Sequence, residues 1–318
     1  HVPEVDKDYI FRPSELLRVL YALVKNRRAW LHGHSGSGKC LGYGTPVLMH
    51  DGTIKEVQDI VEGDEVMGPD SGARKVVGLA RGREPLYRVT PVKGDPYVVN
   101  ESHILSLRMT GGSLNNCGYE DGSVVNLSVR EYLAASKNFR FCAKGWRTGV
   151  DFEGHDNFEL PPYLLGVWLG DGDTSGPRIT NPDPEIRAYV ERYAMENGWG
   201  VVDHEKRDGA CPVYSIVEPT EKTRMRHPIS GMLRDLGLIN NKHIPHAYLT
   251  ASRQARMELL AGIVDTDGCL SKGGFDVVQK SQRLAKDILF LARSLGFSAC
   301  VSEARFNDTI YQRIRING

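Results

Sequence analysis

An internal repeat in the second half of the chain constrains the fold more than any other sequence feature. Residues 164–172 read LLGVWLGDG, and residues 260–268, which lie 96 positions later, read LAGIVDTDG. After each copy come a short extended stretch, an amphipathic helix and two strand-like runs. Two α/β units of equal plan predict one domain with a pseudo-twofold axis.

Each copy of the repeat predicts a helix with small residues four positions apart. These are Gly166 with Gly170 in the first copy and Gly262 with Thr266 in the second. Small residues along one stripe let two helices approach closely. Each helix is predicted to end at an Asp-Gly pair, with the glycine as a left-handed cap.

Asp171 and Asp267 would then lie together where the two helices meet. An aspartate at a helix C-terminus has the wrong sign for the helix dipole, and two such aspartates repel each other. A divalent cation removes both penalties and can promote phosphodiester hydrolysis. Ordinary turn chemistry is the alternative for one Asp-Gly pair, but two matching copies favour a divalent-cation site.

These motifs resemble the LAGLIDADG homing endonucleases, and the phrase KHIP at residues 242–245 is also similar to that family. The second copy matches the nine-letter motif at six positions and the first copy at four. The resemblance implies that Asp171 and Asp267 bind Mg²⁺, and that twisted sheets straddle the major groove of a long, asymmetric double-stranded DNA site. It implies that Lys280, on the strand after the second motif, lies near the cleaved phosphate, although a plain exposed lysine is the alternative. Basic side chains on the later strands suit phosphate and base contacts: Lys272, Arg305, Arg313 and Arg315.

Residues 40–150 have an all-β pattern, in which short runs of alternating apolar and polar residues are separated by turn residues. Asp51-Gly52 is a strong hairpin signal, and one helix is predicted at Ser128–Ser136. The predicted strands are Pro46–Met49, Lys75–Leu79, Leu86–Thr90, Tyr97–Val99 and Ile104–Leu107.

Residues 40–47 (CLGYGTPV) and 96–105 (PYVVNESHIL) resemble the two N-terminal blocks of inteins. The resemblance implies the horseshoe-shaped β fold shared by hedgehog and intein splicing domains, called Hint. It implies that Cys40 is the splicing nucleophile and that His103 protonates the departing nitrogen. Asn100 stands where threonine is usual, and it can still donate and accept hydrogen bonds. The alternative for Cys40 is a small buried hydrophobic residue, and for His103 a hydrogen-bonded core histidine.

Residues 33–39 read GHSGSGK, which is the spacing of a phosphate-binding loop from Gly33 to Gly38 and Lys39. The next residue of such a loop is Ser or Thr, which binds Mg²⁺, but here it is Cys40. Residues 1–39 resemble the AAA+ ATPase subunit of aerobic cobalt chelatase. We therefore predict an intein inserted in the Walker A motif of a host ATPase. An ATP-binding enzyme is a less favoured alternative, because the rest of that fold is missing.

The predicted organisation is multidomain, with an all-β Hint domain followed by an α/β LAGLIDADG domain. Residues 1–39 are a host (extein) fragment, residues 40–150 the N-terminal part of the splicing domain, and residues 151–318 the endonuclease. Its two repeats cover about 160–221 and 222–318. Splicing also needs a C-terminal intein segment that ends in His-Asn. The sequence up to Gly318 contains no such segment. We therefore expect no splicing in cis, and a C-terminal intein segment and C-extein as partners. The alternative function is a DNA-binding module without cleavage.

Charge is distributed unevenly along a chain with 40 basic and 40 acidic residues. Residues 151–221 carry 5 basic and 15 acidic side chains, whereas residues 222–318 carry 15 and 8. A polyanion such as DNA would be attracted to the second block. The longest apolar runs, such as residues 164–169, are far shorter than the ~20 residues that span a bilayer. With no targeting segment visible, we expect a cytoplasmic monomer encoded by a bacterium or phage.

Overall fold

The computed structural model describes residues 41–92, 94–111, 118–204, 209–219 and 226–318. The predictions for Cys40 and for the phosphate-binding loop, with Gly33, Gly38 and Lys39, lie outside the described residues. No helix within those ranges is both long enough and apolar enough to cross a membrane.

Residues 41–145 form small antiparallel sheets, as the alternating pattern predicts. Strands pair as β1–β2, β3–β4, β5–β6 and β8–β7–β9. Their bounds are β1 Pro46–Leu48, β2 Ile54–Glu56, β3 Glu65–Met67, β4 Ala73–Lys75, β5 Leu86–Val89, β6 Tyr97–Asn100, β7 Ile104–Met109, β8 Val124–Ser128 and β9 Ala143–Gly145. Helices α1 (Val129–Ala134) and α2 (Lys137–Cys142) lie between β8 and β9.

Local sequence signals explain most of these elements. The predicted Asp51-Gly52 turn connects β1 to β2, and Gly52 takes the left-handed φ of 81° that such turns require. The predicted helix begins after Ser128, whose side chain forms a reciprocal capping box with Glu131. The strand predicted at Lys75–Leu79 is wrong, because β4 pairs with the three residues of β3 and ends at Lys75.

Residues 162–317 contain two α/β units with the same order of elements. The first has α3 (Pro162–Asp171), β10 (Ile179–Thr180), α4 (Pro184–Glu196), β11 (Gly200–Asp203) and β12 (Val213–Val217). Helices α5 (Pro228–Asp235) and α6 (His246–Leu249) lead to the second unit. That unit has α7 (Arg253–Asp267), β13 (Gly268–Ser271), β14 (Gly274–Gln279), α8 (Gln282–Ser294), β15 (Ser298–Phe306) and β16 (Thr309–Asn317).

The two sheets follow one plan but differ in size. Their strand orders are β10–β12–β11 and β13–β14–β16–β15, and a single bridge from Gly172 to Ile179 stands where β13 pairs with β14. One apolar core runs through both units and includes the fully buried Trp168 on α3. The second unit therefore presents the larger sheet, with two strands of nine residues each.

The two repeat-bearing helices, α3 and α7, pack with their backbones in contact. A Cβ built on Gly166 would lie 3.0 Å from the Cα of Gly262, and one built on Gly262 would lie 2.9 Å from the nitrogen of Val167. On Gly170, a Cβ would collide with the hydroxyl of Thr266. The small residues four positions apart therefore make the close crossing that the sequence predicts.

The prediction that glycine caps these helices in the left-handed conformation is wrong. Gly172 and Gly268 have φ values of −77° and −82°, and the chain passes directly from helix into extended structure. Glycine is needed there for space. A Cβ on Gly172 would collide with the carbonyl of Trp168, and one on Gly268 with the carbonyl of Val264.

The segment that joins the two domains packs against the end of α8. Val150 N donates a hydrogen bond of 2.8 Å to Ser294 O, and Arg147 Nε donates one of 2.9 Å to Gly296 O. Carbonyls in the last turn of a helix have no partner within the helix. Residues 147–150 supply those donors, so this segment completes the packing of the second unit.

A fully buried arginine on α7 fastens the same segment. Arg256 donates to Ala251 O at 2.9 Å, to Ser294 Oγ at 2.6 Å and to Val150 O at 2.8 Å. Its guanidinium also lies 3.5 Å from the exposed carboxylate of Asp151. A buried charge is tolerated only when its donors are satisfied, and here they connect α7, α8 and the interdomain segment.

Replacing Arg256 with Met is expected to lower the free energy of unfolding by about 3 kcal/mol or more, because three buried acceptors lose their donor. Urea unfolding followed by tryptophan fluorescence measures the change. The control is Arg253→Met on the same helix, because Arg253 is 46% exposed and its ion pair with Asp151 is solvated. We expect that control to cost at most about 1 kcal/mol; equal losses in both variants would contradict the assignment.

Candidate active sites

The two repeat aspartates lie together at the crossing of α3 and α7. Asp171 ends α3 and Asp267 ends α7. A Cβ built on Gly170 would lie 3.5 Å from the carboxyl carbon of Asp267, so the second aspartate reaches the residue just before the first. Two carboxylates from matching helix ends therefore share one region.

Each aspartate is held by a buried side-chain amide from the strand region that follows it. Asn181 Nδ2 donates to Asp171 Oδ2 at 2.6 Å, and Gln279 Nε2 donates to Asp267 Oδ2 at 2.5 Å. The backbone N–H of Asp183 donates to Asn181 Oδ1, which turns the amide nitrogen toward Asp171. The sequence does not predict either amide, because two different residue types at offsets of 10 and 12 show no repeated pattern.

The surroundings of Asp267 disfavour the charged form of its carboxyl group. Burial raises the pKa of Asp267, the hydrogen bond from Gln279 lowers it, and the charge of Asp171 raises it. Partly buried like charges of this kind are stabilised by a bound cation.

A partly buried lysine lies beside both aspartates. Lys242 Nζ donates to the carbonyls of Leu169, Gly170 and Gly172 at 2.9, 3.3 and 2.7 Å, which caps the C-terminus of α3. Burial lowers its pKa to about 8, against the opposing effect of Asp267 and Asp171. Lys242 belongs to the KHIP phrase, from which no role for the lysine can be predicted.

The segment that carries Lys242 connects the two repeats. Asn240 N donates to Thr174 O at 2.7 Å in the first unit, and Ile244 N donates to Asp287 Oδ2 at 3.0 Å on α8 of the second. The position of the lysine is therefore fixed from both sides.

Lys280 follows β14 directly, one residue beyond the strand on which it was predicted. It is exposed and lines an open cleft of about 450 Å³ together with Lys242, Gln279 and Gly170. The structure thus brings Lys280, Lys242 and Gln279, whose amide contacts Asp267, to one cleft.

The chemistry of these residues fits Mg²⁺. Within the described ranges no group of three or more His, Cys, Asp or Glu side chains is arranged to enclose a metal ion. Mg²⁺ does not require such a cage, because it binds one or two carboxylates and takes its remaining ligands from water and phosphate. The paired carboxylates and the open cleft are the features such an ion needs.

The strand register divides the predicted basic contacts between two faces of the larger sheet. Arg313 and Arg315 alternate with the buried Ile314 and Ile316, so they lie on the face that points away from α8. Arg305 pairs with Ile310, whose side chain lies on the same face of the sheet as that of Ile314. Arg305 therefore lies on the opposite face of the sheet from Arg313 and Arg315.

The predicted splicing residues that the structure describes lie in one turn. Asn100 is buried at the end of β6, and its Nδ2 donates to Glu84 Oε2 at 2.8 Å and to Ser102 Oγ at 3.0 Å. His103 N donates to Asn100 O at 3.3 Å, and burial lowers the pKa of the His103 side chain.

The chain that leaves position 40 runs along the same strand. Leu41 bridges Val99, and Gly42 N donates to Val98 O at 2.7 Å. The residue after Cys40 is thus paired with the residue before Asn100.

Comparison with family models identifies the two folded parts of the chain. The model described as Hom_end-associated Hint matches residues 40–115, and the model described as LAGLIDADG-like domain matches residues 254–318. These matches confirm the predicted fold class, a Hint domain followed by a LAGLIDADG domain.

The curated proteins that are similar in sequence include a helicase and an ATPase. The replicative DNA helicase DnaB of Mycobacterium intracellulare is 30% identical over 291 residues, which cover 85% of this chain and 45% of that protein. The catalytic polypeptide of the V-type proton ATPase from Candida tropicalis is 48% identical over 50 residues, covering 16% of this chain and 5% of that protein. The chain spans less than half the length of these relatives. A solved structure of I-DmoI in complex with DNA and Mn aligns with a TM-score of 0.37 and 12% identity, covering 50% of this chain and 89% of that one.

Proposed function

We propose that this chain, which joins a Hint domain to a LAGLIDADG-like domain, is an intein precursor fragment that carries a site-specific DNA endonuclease. The observation that carries the endonuclease proposal is the placement of Asp171 and Asp267 at one close helix crossing. Each carboxylate is oriented by a buried amide, Asn181 or Gln279. A turn that merely ended a helix would need neither the partner acid nor the amide.

Asp171 and Asp267 would hold Mg²⁺, which when bound neutralises a DNA phosphate and lowers the pKa of water. Lys242 then keeps the end of α3 in place through its three carbonyl contacts. Lys280 would contribute positive charge at the mouth of the cleft, where a phosphate would lie.

Cleavage is expected when the protein is incubated with Mg²⁺ and a plasmid carrying the host gene without the inserted segment. The readout is linear DNA with one pair of defined ends, and the control is the same reaction with excess EDTA. Linear product only when Mg²⁺ is present supports the proposal. Specific binding of the plasmid without any cleavage would instead support the alternative, a DNA-binding module.

We infer that the N-terminal half carries out the first step of protein splicing. The Cys40 thiolate would attack the carbonyl carbon of Lys39, the bond from that carbon to the Cys40 nitrogen would break, and the nitrogen would take up a proton. His103, as its imidazolium, would supply that proton. Asn100 lies on the strand that pairs with the residues just after Cys40.

Dithiothreitol is expected to cleave the chain between Lys39 and Cys40, because the thiol displaces the Cys40 sulfur from the thioester. Mass spectrometry of the two fragments measures the reaction. Cys40→Ala should abolish the cleavage, whereas Cys211→Ala, which changes an exposed cysteine elsewhere, should not. Equal cleavage in the Cys40 variant would contradict the proposed thioester.

The differing names of the two relatives support a mobile insertion. A helicase and a proton ATPase both match this chain, and the ATPase does so over only 5% of its length. A segment inserted into unrelated host proteins explains such matches better than a shared host function. We infer the host of this chain, a P-loop ATPase, from residues 1–39 alone.

A further inference from the structure

We propose that Arg313 reads a guanine in the target DNA and that Arg315, two residues away on the same strand face, is structural and reads no base. This inference rests on the proposed function and adds a residue that determines specificity. It follows from the sheet register and from the different contacts of the two guanidinium groups.

Arg313 lies in the middle of the open face of the larger sheet. Its cross-strand neighbours are Val278 on β14 and Ser302 on β15. Directly opposed residues of antiparallel strands project on the same face. α8 packs on the other face through Val277 and Ile314, so the Arg313 side chain points away from the helix layer.

Position along the strand places Arg313 near the catalytic end of the sheet. Val278, its partner on β14, immediately precedes Gln279, whose amide holds Asp267. One step along a strand is about 3.4 Å, roughly the rise of one base pair. The base read by Arg313 is therefore expected close to the scissile phosphates, in the half of the site bound by the second repeat.

Arg315 has already used its donors within the protein. Its Nη1 donates to Asp276 Oδ1 at 3.0 Å, and its Nη2 donates to the carbonyls of Ser271 and Lys272. These bonds fix the turn between β13 and β14. Among the described residues, by contrast, Arg313 is exposed and has no hydrogen bond or ion pair.

The donor geometry selects the base. A free guanidinium that projects from the open face of a sheet into the major groove can donate two parallel hydrogen bonds to O6 and N7 of guanine. Adenine presents a donor at the corresponding position, so arginine discriminates against it. Glutamine in place of arginine can pair with adenine in the same way.

The test is selection from a pool of random-sequence DNA duplexes with the whole chain, followed by sequencing, for wild type and for Arg313→Gln. We expect one position to change from guanine to adenine, with a relative preference altered roughly tenfold to hundredfold. All other positions should keep their preferred bases. Arg305→Gln is the matched control, because the same change on the opposite face of the sheet should leave every position unaltered.

The outcomes separate this inference from the proposed function. If wild type enriches no sequence, the proposed site-specific function fails. If wild type enriches a site and Arg313→Gln enriches the same bases at every position, the inference alone is overturned. A uniform loss of affinity without a changed base would assign Arg313 to phosphate contact and would also overturn it.

Discussion

Replacing Asp267 with asparagine is expected to slow double-strand cleavage by about a hundredfold to a thousandfold, the range seen when one electrostatic group at a reacting centre is lost. Asparagine keeps the size of the side chain and can still accept the hydrogen bond from Gln279. It loses the negative charge that would bind Mg²⁺. Asp171→Asn should have a similar effect, because the two carboxylates share one region of the helix crossing.

The same substitution is expected to stabilise the folded chain in the absence of Mg²⁺. Burial raises the folded-state pKa of Asp267 above its ordinary value of 3.8, so the folded chain disfavours the charged form. This cost is present above the folded-state pKa and disappears as the pH falls toward 3.8. Asparagine removes it at every pH, and thermal unfolding at neutral pH should show a higher midpoint than wild type.

Mg²⁺ should raise the unfolding midpoint of wild type and have little effect on Asp267→Asn, because only a ligand that binds the folded state stabilises it. Asp265→Asn is the matched control. Asp265 lies on the same helix and accepts a hydrogen bond of 2.8 Å from the Tyr163 hydroxyl, so its loss should leave cleavage and the Mg²⁺ effect in place. Unchanged cleavage in Asp267→Asn would remove the basis for the proposed endonuclease.

The sequence predicts those parts of the site in which both repeats use the same residue types at the same spacing. Asp171 with Asp267, and Gly166 with Gly262, recur 96 positions apart, so both the helix crossing and the meeting of the acids can be predicted. The β pattern and the Asp51-Gly52 turn likewise predict the pairing of β1 with β2.

The remaining features depend on contacts that have no repeated spacing. Asn181 and Gln279 differ in type and offset, and Lys242 caps a helix that ended 71 residues earlier. The face on which Arg305 lies depends on the strand register. The register cannot be read from the presence of arginines in a predicted strand. Gly172 and Gly268 show the same limit, since an Asp-Gly pair is compatible with a left-handed cap and with a glycine required by close packing.

Replacing Gly262 with alanine is expected to lower the free energy of unfolding by about 3 kcal/mol, at the upper end of the range for overpacked cores. The added methyl group would collide with Tyr163 O and would lie 2.9 Å from Val167 N and 3.1 Å from Gly166 C. These are all backbone atoms of α3, so no side-chain rotation relieves the contact. The two helices must separate, and cleavage should fall as well, because both aspartates lie at the ends of the displaced helices.

Gly231→Ala on α5 is the control that isolates this effect from helix propensity. A Cβ at Gly231 meets nothing within 4 Å, so the change should stabilise the helix by about 0.5–1 kcal/mol, the usual preference for alanine over glycine. The two substitutions are chemically identical and both lie inside helices, yet their effects should have opposite signs. Urea unfolding of both variants measures this directly. A Gly262→Ala protein as stable as wild type would mean that α3 and α7 do not cross at the backbone distance that brings Asp171 and Asp267 together.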